Sequence, residues 1–226
     1  MDDRARLCRR LGYQFSDPGL LDLALTHRSV SRSRNNERLE FLGDAQLSQV
    51  ISSELFDRFP EAAEGQLTRM RASLVRGQTL AEVARELGIG EHLVLGGGEL
   101  KSGGNRRDSI LADAVEALIG AMVIDGGEQV CRDVVLAWFD QRLQAISPQN
   151  VRKDAKTRLQ EWLQGRKHEL PTYEVLTVTG QAPRQTFQVE CLLPDLNRQF
   201  TASGSSRRRA EQQAAEDALA WLEQTL

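Results

Sequence analysis

Glu37, Glu40 and Asp44 stand at i, i+3 and i+7 in the stretch Asn36-Glu37-Arg38-Leu39-Glu40-Phe41-Leu42-Gly43-Asp44-Ala45, which opens a long helical pattern. At roughly 100° per residue, a helix gathers these carboxylates into one narrow arc. Leu39, Phe41, Leu42, Leu47, Val50 and Ile51 cover nearly all the remaining circumference. A helix apolar on most sides is normally buried. Like charges buried together are costly unless a cation or hydrogen-bond donors compensate them. An all-oxygen set suits a hard cation, Mg²⁺ above all where phosphates are handled. The competing reading is that Asn36 caps the helix and the acids favour its positive end. That accounts for Glu37 and Glu40 and leaves Asp44, two turns in, unexplained.

The same problem recurs further along. Asp113 and Glu116 are an i, i+3 pair within Ile110-Leu111-Ala112-Asp113-Ala114-Val115-Glu116-Ala117-Leu118-Ile119-Gly120-Ala121. The small apolar residues around the pair suit close helix packing, although a surface stripe is also compatible with the pattern. Two such helices face to face would gather four carboxylates, from Glu40, Asp44, Asp113 and Glu116. Near the C-terminus, Ser205-Ser206-Arg207-Arg208-Arg209-Ala210 puts three arginines at a helix start after Gly204. Backbone N–H groups and guanidinium forks there form a phosphate clamp, or else the run is a solvated basic patch.

The elements that must position these groups divide in two. Residues 1 to about 146 read as helix after helix: a short one over Leu20–Leu25 after Asp17-Pro18-Gly19, and the long acidic one to about Phe59, stopped by Pro60. Further helices follow over Gln66–Val75, Thr79–Leu87, Arg106–Ala121 and Gly126–Ile146. The last is expected to turn Val130, Val134, Val135, Trp138, Phe139 and Leu143 inward. His27 reads as a hydrogen-bonded structural histidine. Gly96-Gly97-Gly98 and Ser102-Gly103-Gly104 match no GxxxxGK[ST] pattern and read as a mobile connector. Residues 148–153 have the composition of a linker. After it comes an α-β-β-β-α order: a helix capped by Asp154, strands over 172–179, 185–193 and 199–202, and a helix from Arg207 to about Leu222. Phe187, Val189, Cys191 and Leu193 alternate with polar neighbours, so one sheet face is buried.

Composition sets the bounds. With 226 residues, 40% hydrophobic and 27% charged, the chain is ordinary globular material of one large or two modest domains. No apolar run suits a membrane span, and Met1-Asp2-Asp3-Arg4 lacks a signal-peptide core. Cys8, Cys131 and Cys191 form no metal-spaced motif, as expected of reduced core cysteines in a cytoplasmic protein. The net charge is −3, and neither side of Lys153 is basic, so phosphate contacts must come from local clusters.

Asn36–Ala45 resembles the signature decapeptide of the ribonuclease III family, with Ala45 where serine is frequent. Asp113-x-x-Glu116 resembles that family's second acidic motif, and residues 155–225 resemble the double-stranded-RNA-binding domain that follows the nuclease domain in bacterial members. The resemblance covers essentially the whole chain. It implies an all-α endonuclease domain over 1–147, a linker over 148–153, and an α-β-β-β-α RNA-binding domain over 154–226. It further implies a Mg²⁺ site, also open to Mn²⁺, on Glu40, Asp44, Asp113 and Glu116, with Asp44 and Glu116 the most demanding for chemistry. Glu37 and Glu64 match two further acids facing the RNA cleft, and Phe41 matches an aromatic that plugs into a partner subunit of a homodimer.

In the second domain the resemblance implies minor-groove contacts from Thr157, Gln160 and Glu161, and phosphate contacts from Arg207 and Arg208. The activity implied is double-strand-specific cleavage to 5′-phosphate and 3′-hydroxyl ends, acting on structured precursors such as rRNA and on some mRNA and tRNA transcripts. Two departures are expected to weaken RNA affinity: Glu211 where a third lysine is common, and Pro183 where histidine is common. The rival is a non-catalytic double-stranded-RNA-binding dimer; relatives of that kind usually lack cluster acids, and this chain retains all six.

Overall fold

The computed structural model describes residues 3–150, 153–181 and 184–225, so Pro183 and part of the expected linker lie outside the described residues. The chain forms two compact units, Met1–Val151 and Arg152–Leu226.

In the first unit, α1 (Asp3–Leu11) buries Leu7, Cys8 and Leu11, and the Trp138 indole donates to the Leu11 carbonyl at 2.8 Å. The Asp17 side chain accepts from the Gly19 N–H at 2.8 Å and starts α2 (Pro18–Ala24). The long acidic helix, α3 (Glu37–Arg58), stops ahead of Pro60, since the residue before a proline disfavours helix. Its start differs from the capping expectation: Asn36 is buried and makes no side-chain cap, while the Asn35 side chain accepts from the Glu37 N–H. α4 (Glu64–Val75) begins two residues before the expected Gln66, because the Gln66 side chain reaches back to the Ala63 N–H at 2.9 Å. α5 (Gly77–Glu86) follows, with Gly88 left-handed just beyond its end.

The glycine-rich stretch, expected as an open connector, contains one helical turn, α6 (Gly97–Lys101). A 3-10 turn over Gly104–Arg106 follows, and the Arg107–Glu99 ion pair at 2.7 Å joins the two ends. α7 (Asp108–Gly126) is buried along most of its length, with α3 and α5 packed beside it and α2 and α8 (Glu128–Ala145) flanking. In α8 the packed line is Cys131, Val135, Phe139 and Leu143, each four residues on; Val130, expected inward, is exposed one position away from that line.

The second unit opens with α9 (Ala155–Gly165), capped by Asp154, which accepts from the Thr157 N–H at 3.1 Å. An antiparallel sheet follows in the order β1 (Thr172–Thr179), β2 (Thr186–Leu193), β3 (Arg198–Gly204). Val175 pairs with Val189 and Val189 with Ala202, with a bulge in β1 between Val175 and Thr177. Val189, Cys191 and Leu193 are buried. α10 (Arg207–Thr225) lays Ala214, Ala215, Ala218, Leu219 and Leu222 into one core with Leu159 and Leu163 of α9. Among the described residues, no helix is long and apolar enough to cross a membrane.

Candidate active site

Two glycines bring the acidic helices together. A Cβ on Gly43 of α3 would lie 1.7 Å from the Glu116 carbonyl oxygen, and one on Gly120 of α7 would lie 2.1 Å from the Leu39 carbonyl oxygen. Real Cβ atoms do not approach so closely, so only glycine at both positions allows backbone to meet backbone at this crossing. Sequence reasoning assigned these two residues no role. Their signal was their position, Gly43 one residue before Asp44 and Gly120 four after Glu116, in helices otherwise rich in good helix formers.

The approach places carboxylate oxygens of Glu40, Asp113 and Glu116 within 4.8 Å of one another, all three half-buried. Asp44 is exposed and outside that grouping, at its rim, near enough to act on Glu116 electrostatically. Burial, then Asp44, Glu40 and Asp113, push the Glu116 carboxyl up to about 8. Burial, with Asp113 and Glu37 adding to it, raises Glu40 as well. Asp113 is raised by burial too, with His27 and Arg28 offsetting part of the rise. The neighbouring cations therefore do not balance the acids. Carboxylate oxygens at this spacing without balancing cations fit a divalent hard cation, whose charge would oppose all three shifts.

Around the cluster, Arg28 reaches Glu37 at 3.4 Å, and both are exposed. Glu64, at the start of α4, is exposed and accepts from the Thr68 hydroxyl at 2.7 Å. His27 is buried; its Nδ1 meets the Ser29 hydroxyl at 2.8 Å and accepts from the Ser29 N–H at 3.2 Å, as a structural histidine should. Ser29 Oγ in turn accepts from the Gly96 N–H, seating the start of the glycine-rich stretch beside this segment. Beside the acidic arc of α3, Phe41 is 81% exposed. With Ile124, Leu20, Leu23 and Leu42 it lines an open apolar groove.

In the second unit, Arg207, Arg208 and Arg209 are exposed at the start of α10 beside Ser205 and Ser206. Gln160 and Glu161 are exposed on α9, with Glu161 against Lys153, while the Thr157 hydroxyl donates to the capping Asp154 at 2.9 Å. Arg208, Arg209, Gln212, Gln213 and Glu216 line a recess with Ala155 and Ser203–Ser206.

Comparison with known proteins agrees with this division. Residues 17–143 match the family model described as Ribonuclease-III-like, and residues 155–222 match the one described as Double-stranded RNA binding motif. The protein named Ribonuclease 3 of Alcanivorax borkumensis is 74% identical over 222 residues, covering 98% of this chain and 97% of its own. That of a Marinomonas species is 59% identical over 218 residues, covering 96% of each. The crystal structure of the nuclease domain of ribonuclease III from Campylobacter jejuni superposes with a TM-score of 0.62 at 39% identity, covering 65% of this chain and 100% of that one. A second structure of that domain, described for flexibility in a region involved in dimer formation, gives 0.59 at 41% identity over 60% of this chain and 95% of its own.

Proposed function

Because this chain belongs to the ribonuclease III family, we propose that it is a Mg²⁺-dependent endonuclease that hydrolyses double-stranded RNA to 5′-phosphate and 3′-hydroxyl ends. The observation that carries the reading is the crossing of α3 and α7 at Gly43 and Gly120, which holds Glu40, Asp113 and Glu116 within 4.8 Å. Glu40, Asp44, Asp113 and Glu116 would hold Mg²⁺, and Mn²⁺ in its place. When bound, the metal supplies Lewis-acid stabilisation of the scissile phosphate and lowers the pKa of an attacking water.

The chain's own part is positional and electrostatic. Glu40, Asp113 and Glu116 project from two rigid helices, so their oxygens are aimed before substrate arrives. Asp44 completes the set at its exposed rim, where a phosphodiester can enter. Glu37 and Glu64 face the RNA cleft as accessory acids. The second unit reads A-form shape through Thr157, Gln160 and Glu161 at the minor groove and through Arg207 and Arg208 on phosphates. The domains are 1–147 for cleavage, 148–153 as linker and 154–226 for binding. Phe41, exposed beside an apolar groove, seats in a second copy, so a homodimer presents one acidic site to each strand. Its setting is cytoplasmic, and its substrates are structured precursors such as rRNA, with some mRNA and tRNA transcripts.

The test is cleavage of an end-labelled RNA hairpin and its single-stranded counterpart, with Mg²⁺ and with Ca²⁺. Staggered, duplex-only cutting in Mg²⁺ and binding without cutting in Ca²⁺ are expected. Tight duplex binding with no cutting in Mg²⁺ or Mn²⁺ would assign the protein to the non-catalytic class.

A further inference from the structure

Glu211 is an acid where the RNA-binding surface calls for a cation, and by charge alone it should repel a polyanion. Its surroundings say otherwise. The Glu211 side chain is 11% exposed, and its two oxygens are shared between two cations from different helices. Lys156 Nζ of α9 lies 2.7 Å from Oε2, and Arg207 Nε of α10 lies 2.8 Å from Oε1. The same ammonium group stands 4.0 Å from the centre of the Tyr173 ring on β1. Burial opposes ionisation of Glu211, yet the hydrogen bonds from Lys156 and Arg207 hold its carboxyl below the usual range.

A second seam runs beside the first. The Lys156 N–H donates to Gln212 Oε1 at 3.3 Å, and Gln212 Nε2 donates to Asp154 Oδ1 at 2.9 Å, the residue that caps α9. The start of α9 and the start of α10 are thus joined across one buried anion.

We propose that Glu211 is a positioning residue for duplex RNA, clamping Lys156 and Arg207 so that the first turns of α9 and α10 keep the separation at which both meet the helix. The inference rests on the reading that this unit binds double-stranded RNA. A-form recognition depends on two elements reaching successive grooves at once, so their separation matters more than one added charge. Replacing the anion by a cation would set three positive groups together in a poorly hydrated place, which drives the two helix starts apart.

The test measures binding of the full chain to a fluorescent RNA duplex in Ca²⁺, across a range of KCl concentrations. It compares wild type, Glu211→Lys, Glu211→Gln, the swap Lys156→Glu with Glu211→Lys, and Arg208→Gln. Although more positive, Glu211→Lys is expected to bind about tenfold more weakly and with a shallower salt dependence, because fewer phosphates are met together. Glu211→Gln should fall between it and wild type, which keeps the test valid if the lysine variant does not fold. The swap, with the formal charge of wild type, should recover most of the affinity. Tighter or unchanged binding by Glu211→Lys would overturn the clamp. So would loss that the swap does not rescue, since the charges would then act on RNA directly. A wild-type chain without salt-sensitive duplex binding, indifferent to Arg208→Gln, would instead overturn the RNA-binding reading and the clamp with it.

Discussion

Replacing Glu116 by glutamine should stabilise the metal-free protein while abolishing cleavage. The change keeps the shape of the side chain and puts a permanently neutral group into a crowded, half-buried set of acids. Burial and then the neighbouring Asp44, Glu40 and Asp113 lift this carboxyl from 4.5 to about 8. The folded protein therefore binds the proton more tightly than the unfolded chain does. Stability linked to the group is complete below pH 4.5 and is lost as the pH rises through about 8. Undiminished, the shift would be worth roughly 5 kcal/mol; with solvent reaching the open side of the cluster, about 2 kcal/mol is the better expectation. For a unit of this size that is about 4–8 °C in melting temperature.

Calorimetry in chelator between about pH 5 and pH 9 measures it. The variant and wild type should melt together at the acid end. The variant should gain as the pH rises and level off at the alkaline end. Saturating Mg²⁺ should reverse the order, because only wild type keeps the full ligand set and gains by mass action. Duplex binding in Ca²⁺ should persist in the variant. Identical melting at every pH would refute the claim that burial and the neighbouring acids raise this carboxyl, and equal loss of cleavage and binding would mark Glu116 as a structural acid.

Gly43→Ala should lower stability by about 3 kcal/mol or more, since its Cβ would meet the Glu116 carbonyl oxygen at 1.7 Å and force α3 from α7. Chemical denaturation and single-turnover cleavage read the two consequences, and an active variant of wild-type stability would show that the crossing tolerates a side chain. Phe41→Asp should leave the fold of each subunit intact, because the ring is exposed there, and should shift sedimentation from dimer to monomer. A dimer that survives this change at micromolar concentration would place the subunit contact elsewhere.

Periodicity made much of this legible. The acid spacing of Glu37, Glu40 and Asp44 within an apolar helix, and the repeat of that anomaly at Asp113 and Glu116, pointed to a shared carboxylate site. The alternation of Val189, Cys191 and Leu193 placed the sheet, and Asp154 and Asp17 marked helix starts that the fold keeps. Local chemistry misled where a stronger partner stood close by. Asn36 has the composition of a cap, yet it is buried and Asn35 takes the Glu37 N–H. Glycines at 96–98 and 103–104 have the composition of a connector, yet the Gly96 contact with Ser29 and the Arg107–Glu99 pair go with a helical turn between them. Val130 fits an inward position by hydrophobicity, but the line from Cys131 to Leu143 occupies the core instead.

By itself, then, the sequence determined which helices carry acids, where most of the long helices and the three strands lie, and which residues resemble a nuclease and its RNA-binding partner domain. These are properties of residue type and spacing, and both are local. Tertiary structure alone decided how near the acids come. That distance depends on Gly43 and Gly120, 77 positions apart, each making room for the other helix's backbone. It also decided that Asp44 stands at the rim of the cluster and that the Glu116 carboxyl is pushed up, because burial and Coulomb effects depend on separation in space. The same holds for Glu211: its negative sign is written in the chain, but only the packing of α9 against α10 sets it between two cations.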